Sequence, residues 1–154
     1  MNKSITIYTD GSSIGNPGPG GYGIVMLVDG KDYKKEFSQG FKFTTNNRME
    51  LMAVIVALET IKIKNSNVTI FTDSKYVSDA VEKGWLFDWE KKDFKNKKNP
   101  DLWRRFLEIY KNHNIKFKWI KGHNNDFYNE RCDFLANLAA KNSNLLEDKG
   151  YTIN

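Results

Sequence analysis

Tyr8-Thr9-Asp10-Gly11 and Phe71-Thr72-Asp73-Ser74 close two strand-like runs with nearly the same tetrapeptide, and each aspartate stands three residues after an isoleucine, Ile7 or Ile70. Side chains alternate faces along a strand, so the two aspartates share a pleat parity. If the runs lie side by side and parallel, Asp10 and Asp73 project from one sheet face at one end. Two carboxylates ~4 Å apart repel by roughly 4 kcal/mol at an effective dielectric of about 20, so the pair calls for a cation or a displaced pKa. The spacing predicts a metal-binding edge.

Outward from these runs, alternation and turn residues predict strands near 4 to 10, 21 to 29 and 32 to 42, the last two joined as a hairpin at Asp29-Gly30. Helical periodicity follows at Met49, Met52, Ala53, Val56 and Ala57, after the cap-like Thr44-Thr45-Asn46-Asn47 and before Asn65-Ser66-Asn67. Residues 66 to 72 make the next strand, 74 to 83 and 101 to 112 read as helices, and Ile115 to Ile120 as a short strand. Cys132, Leu135, Ala136, Ala139 and Ala140 form the apolar stripe of a final helix. A strand, crossover helix and strand in one sheet favour right-handed parallel pairing, which puts the 66 to 72 strand beside the 4 to 10 strand. Ligands favour the carboxyl ends of strands at such a point, where both Thr-Asp pairs sit. The 120s loop and residues 91 to 100 are expected to be the flexible parts.

The chain of 154 residues, 40% hydrophobic and 14% aromatic, suits one domain. Its start does not resemble a signal peptide and no apolar run approaches the ~18 residues of a membrane span, so a cytoplasmic protein away from membranes is expected. Cys132 is the only cysteine and His113 and His123 the only histidines, which excludes an internal disulfide and an ordinary structural zinc site. A metal must then be held by oxygen ligands. The net charge of +5 is uneven: residues 83 to 105 carry eight Lys/Arg against four acids, interleaved with Trp85, Phe87, Trp89, Phe94 and Trp103. That mixture suits phosphate contact with sugar or base packing, so nucleic acid is the natural partner. A solvated lysine surface over buried tryptophans is the competing reading of this stretch.

Gly18-Pro19-Gly20-Gly21-Tyr22-Gly23 satisfies the literal G-x-G-x-x-G pattern, but a dinucleotide fingerprint must open a helix and here Ile24-Val25-Met26-Leu27-Val28 follows. The glycines are read as a tight turn close to the end of the first strand. Glu50 and Asp133 complete an acidic set, each placed in or near the first turn of its helix. Each acid has a bland explanation, Glu50 as the partner of Asn47 in a capping box, Asp133 as a dipole-complementing acid, Asp73 as an N-cap and Asp10 as a turn-former. Together these explanations weaken, because the topology brings the acids to one edge, where a hard cation such as Mg²⁺ would find oxygen ligands. His123, in the loop Lys121-Gly122-His123-Asn124-Asn125-Asp126, is placed for proton transfer near neutrality, and His113 is read as a helix-end cation.

The ordered blocks Thr9-Asp10-Gly11-Ser12, Gly15 to Gly23, Thr44 to Leu51, Thr72-Asp73-Ser74, Asp101-Leu102-Trp103, Lys121-Gly122-His123, Asn129 to Asp133 and Leu146-Glu147-Asp148 resemble bacterial-type ribonuclease H essentially end to end. That resemblance implies an α/β fold with a mixed five-stranded sheet, order 3-2-1-4-5, flanked by helices on both faces. It implies hydrolysis of the RNA strand of RNA/DNA hybrids, with Asp10, Glu50, Asp73 and Asp133 as ligands of two Mg²⁺ ions, Mn²⁺ a possible substitute, and His123 as a proton shuttle. It further implies that Asn16, Asn46 and Asn47 lie next to the RNA strand, where a ribose hydroxyl separates RNA from DNA. Tyr76, Trp85 and Trp89 would line a groove for the DNA strand, with Thr45 and Asn99 near a phosphate pocket. The protein is expected to act as a monomer. Two segments differ from the family pattern: Phe94 to Pro100 is several residues shorter than the usual lysine-rich loop, and Asp126-Phe127-Tyr128 replaces a His-Pro-Glu type of sequence. A non-catalytic hybrid-binding module would lack one or more of the four acids. A DNA-cutting nuclease of the same metal-carboxylate type would not need the asparagines.

Overall fold

The centre of the sheet is β1, Ser4–Ser13, which buries Ile5, Ile7 and Thr9 on one face and leaves Thr6 and Tyr8 half-covered on the other. The computed structural model describes residues 4–122 and 124–152. Strands β2 (Gly18–Val28) and β3 (Lys34–Thr44) continue antiparallel from β1, and β4 (Asn67–Thr72) and β5 (Asn114–Trp119) pair parallel on its other side. The strand order is β3-β2-β1-β4-β5. Ile7 pairs with Ile70 and Tyr8 with Phe71, the parallel register expected from the repeated tetrapeptide.

Helices cover both faces. The helix α1 (Asn46–Glu59) is buried on almost every side, and α2 (Lys75–Glu82), α3 (Trp85–Lys91) and α4 (Pro100–Tyr110) add Val77, Leu86, Trp103 and Phe106 to the same apolar cluster. The last helix, α5 (Phe127–Ala140), lies on the opposite face, where Cys132 and Leu135 meet Val25, Tyr8 and Leu27. Among the described residues no helix is long and apolar enough to cross a membrane.

Several sequence expectations are corrected. The strand expected near 21 to 29 begins earlier, at Gly18, so the glycines ahead of Gly21 are strand rather than turn. Its bare backbone receives α5: a Cβ on Gly21 would stand 2.6 Å from the Ala136 carbonyl oxygen, and one on Gly23 2.8 Å from Leu135 Cβ. The cap of α1 is Thr45, whose Oγ1 accepts from the Arg48 backbone N–H, so Asn47 caps nothing and Glu50 falls beyond the first turn. Asp126 caps α5, which puts Asp133 in mid-helix, too far along to answer the helix dipole. His113 is no helix-end cation. It is buried, its Nδ1 accepts from the Ser66 N–H, and burial lowers its pKa, so the neutral ring is favoured. Apart from these corrections, residues 92 to 96 form successive turns with positive φ at Asp93, Phe94 and Asn96, where buried Phe94 lies beneath the Arg104 guanidinium.

Candidate active site

Three chain segments converge at the carboxyl ends of β1 and β4. By parity with the stacked rings of Tyr8 and Phe71, 4.7 Å apart on the α5 side of the sheet, Asp10 and Asp73 point to that same face. Glu50 arrives from the other side. Its helix can come this close because Gly11 has no side chain: a Cβ there would lie 2.8 Å from Met49 Cβ and press on the backbone of Glu50. The result is one carboxylate oxygen from each of Asp10, Glu50 and Asp73, all within 4.8 Å of one another. Asp133 stands outside that trio, next to Asp10, on the helix that Cys132 ties to β1 through Sγ and the Tyr8 carbonyl at 3.2 Å.

The electrostatics are unfavourable without a counter-charge. Asp10 is 6% exposed and Glu50 8%. Burial, then the charges of Asp73 and Asp133, push Asp10 up to about 8, against which the Gly11 N–H bond to its Oδ1 at 2.9 Å works only weakly. Burial and the neighbouring Asp10 and Asp73 raise Glu50 well above the usual carboxylate range. Glu50 Oε1 is buried and has no hydrogen-bond partner among the described residues. A buried acceptor left empty is costly, and a hard cation is the partner that would satisfy it and relieve the repulsion together. The donor set, oxygens only, fits Mg²⁺ or Mn²⁺ better than a thiophilic metal.

The other residues singled out from the sequence form two groups. Asn46 begins α1 one turn before Glu50 and on the same helical side, and its Oδ1 accepts from the Ser13 N–H at 2.7 Å and Oγ at 2.9 Å. Asn16 Oδ1 accepts from the Asn46 N–H at 3.0 Å, while Asn47 is exposed beside it. Asn16 and Asn46 are thus tied to the start of the helix that carries Glu50. Further away, Asn99, in the left-handed region at φ 61°, donates Nδ2 to the Tyr76 hydroxyl at 3.0 Å and accepts from Arg48 Nη1 at 3.2 Å. Tyr76 also accepts from Trp103 Nε1, so its oxygen is turned inward. Trp85 and Trp89 line a cleft of about 570 Å³ with Lys92, Lys95 and Lys97, and the Lys97 ammonium lies 5.0 Å from the Trp89 ring. His123 lies outside the described residues.

This arrangement has close relatives. The family described as RNase H matches residues 2–141. The chain belongs to the RNase H family. It therefore stands among the endoribonucleases. A ribonuclease H of Desulforamulus reducens is 57% identical over 148 residues, which span 93% of this chain and 91% of that protein. One from Trichodesmium erythraeum is 53% identical over 152 residues, 96% of this chain and 95% of that protein. Among solved structures, LC9-RNase H1, described as a type 1 RNase H with the type 2 active-site motif, superposes with a TM-score of 0.82 at 30% identity, covering 91% of this chain and 73% of that one. LC11-RNase H1, solved in complex with an RNA/DNA hybrid, gives a TM-score of 0.67 at 30% identity, covering 88% and 96%.

Around these RNase H elements lie residues that sequence reasoning missed. Trp119 Nε1 donates to the Asp73 carbonyl at 2.9 Å, and the Lys75 ammonium lies 4.6 Å from the same indole. Asn137 donates to Asp133 Oδ1 at 3.2 Å. Arg48, 1% exposed, is gripped by Asp101 and Asp148. Asn137 had a legible signal, for it stands four residues after Asp133 on one helix face. The others meet across the fold, and nothing local marks them.

Proposed function

We propose that this protein cuts the RNA strand of RNA/DNA hybrids internally by hydrolysis, leaving 5′-phosphate and 3′-hydroxyl ends. The observation that carries the reading is the trio of buried Asp10, buried Glu50 and half-buried Asp73, with a Glu50 oxygen that finds no partner among the described residues. Asp10, Glu50, Asp73 and Asp133 would hold two Mg²⁺ ions, with Mn²⁺ able to substitute. Bound there, the ions would supply an activated water and charge stabilisation for the departing 3′ oxygen. The likeness to a structure solved with an RNA/DNA hybrid supports the substrate class.

The remaining residues act by binding and orientation. Asn16, Asn46 and Asn47 present amides beside the acids and would detect the ribose 2′-hydroxyl. The Thr45 oxygen accepts from the Arg48 N–H, which leaves its own O–H to donate to a phosphate, and Asn99 accepts from the side chain of that same Arg48. Trp85, Trp89 and the surrounding lysines offer packing and charge to the DNA strand. Tyr76 serves that groove mainly by holding Asn99. His123 is assigned proton transfer and help in product release, so its loss should impair turnover less than loss of Asp10 or Asp73. We read residues 1–154 as one catalytic domain, working as a monomer in the cytoplasm.

The test is a substrate panel: hybrid, double-stranded RNA, double-stranded DNA and both single strands, each with Mg²⁺ and with a chelator. Cleavage confined to the RNA of the hybrid and dependent on Mg²⁺ is expected. Binding without cleavage would indicate a hybrid-binding module, and cleavage of DNA a different nuclease.

A further inference from the structure

Asp133 is held differently from the other three acids. Asn137, one helical turn on, donates Nδ2 to Asp133 Oδ1 at 3.2 Å, and its own Oδ1 accepts from Ser12 Oγ at 3.0 Å. Both ends of the amide are therefore engaged. Turning it over would set two acceptors against each other at Asp133, whereas the Ser12 hydroxyl can rotate to suit, so the carboxylate dictates the amide's orientation. Ser12 lies on β1 two residues after Asp10 and on the same face by parity. The amide thus links α5 to the strand that carries Asp10, beside the acids.

The location matters because Asp133 is half-buried, mid-helix and outside the trio of mutually close carboxylates. Left alone, such a side chain would sample several rotamers and would have to be ordered on each cation uptake. Metal-ligating carboxylates are commonly oriented by an outer hydrogen bond, and removing that bond costs about 10–100-fold in metal affinity or activity.

We infer that Asn137 is a positioning residue: it occupies Asp133 Oδ1, offers Oδ2 to the divalent-cation site, and so sets how much Mg²⁺ the protein needs. This rests on the function proposed above. Asn137 itself touches neither cation nor substrate. Ser12 keeps the amide in place, and its contribution is the smaller one because the Asp133 bond alone still selects the amide's orientation.

The test titrates Mg²⁺ with two readouts, hybrid cleavage and, without substrate, the rise in Tm. Wild type, Asn137→Ala and Asn137→Leu are compared, and each substitution is repeated in an Asp133→Asn background with the Tm readout. Both substitutions should raise the half-saturating Mg²⁺ roughly 10-fold in both readouts, leave kcat at saturating Mg²⁺ within a few-fold, and hardly change the metal-free Tm. In the Asp133→Asn background the shift should vanish, as expected for coupled neighbours. Leu matches Asn in size and makes neither hydrogen bond, so a wild-type midpoint in Asn137→Leu would assign Asn137 to packing and overturn the inference. A shift of equal size without Asp133 would do the same. If Asn137→Ala does not fold, Asn137→Leu alone decides. Wild type that cuts hybrid without any Mg²⁺ dependence would overturn the proposed function and this inference with it, a result distinct from failure of the variants.

Discussion

Arg48 Nε and Asp148 Oδ2 meet at 2.7 Å with the guanidinium 1% and the carboxylate 2% exposed, a fully buried ion pair joining α1 to the carboxyl-terminal segment. Asp148 also accepts from Thr44 Oγ1 at 2.7 Å, and the opposite edge of Arg48 is taken by Asp101, which is 40% exposed. Removing the buried partner strands a buried charge, which costs about 3–5 kcal/mol, whereas water can replace the exposed one. Urea unfolding should therefore show Asp148→Ala losing several kcal/mol and Asp101→Ala clearly less. Equal losses would mean Arg48 draws the same support from both.

The acidic site makes metal-free stability depend on pH. Asp10, pushed up to about 8 by burial and by Asp73 and Asp133, keeps a proton in the native state that the unfolded chain releases near pH 4, and Glu50 behaves likewise. Stability from these groups is complete below about pH 4 and is lost as pH rises toward 8. Without metal, Tm should fall between about pH 5 and 8, and Mg²⁺ should restore most at the upper end. Asp10→Asn should flatten that slope and, at pH 8, stabilise the metal-free protein by at least about 1.4 kcal/mol, the worth of one pKa unit. A Tm that rises over this interval in the absence of metal would contradict the assignment.

Gly11 sets the approach of α1 to β1. With Met49 Cβ 2.8 Å from where a Cβ would stand, Gly11→Ala must push Glu50 away from Asp10 or bend the strand. Overpacking of this kind costs about 1–3 kcal/mol, and a shift of ~1 Å at a reacting centre can lower turnover roughly 100-fold. Thermal unfolding and hybrid cleavage together check this. A folded Gly11→Ala with unchanged kcat would mean that the edge adapts freely.

Neutralising Lys91, Lys92, Lys95, Lys97 and Lys98 should weaken hybrid binding and flatten its dependence on salt, by about 0.7–0.9 in logarithmic slope for each phosphate that is no longer neutralised. Fluorescence anisotropy across a range of salt concentrations reads this directly. An unchanged slope would leave these lysines facing water.

Much of this arrangement is legible in the chain. The isoleucine and aspartate parity predicts the β1/β4 pairing because strand periodicity is strictly two and needs no knowledge of the rest of the fold. The hairpin at Asp29-Gly30 and the apolar stripe of α5 are equally local. What escapes is what depends on distant partners. Gly18 and Gly20 read as a turn although they are strand, and the role of Gly21 and Gly23 stays hidden because their packing partner, α5, lies far along the chain. Arg48 and Asp148, 100 residues apart, show no sign of each other in sequence. His113 looks like a helix-end cation until Ser66, 47 residues earlier and just ahead of the neighbouring strand β4, is found donating to it. Asp133 looks like a first-turn acid only because the Asp126 cap goes unrecognised.

Asp10 is the residue on which every other acid converges, so the most direct measurement is cleavage of a defined RNA/DNA hybrid in Mg²⁺ by wild type and by Asp10→Asn, with circular dichroism to confirm the fold. The predicted result is a folded variant whose turnover is reduced at least about 1000-fold, a barrier increase of roughly 4 kcal/mol. A folded Asp10→Asn that cuts the hybrid as fast as wild type would contradict the carboxylate site as the seat of catalysis.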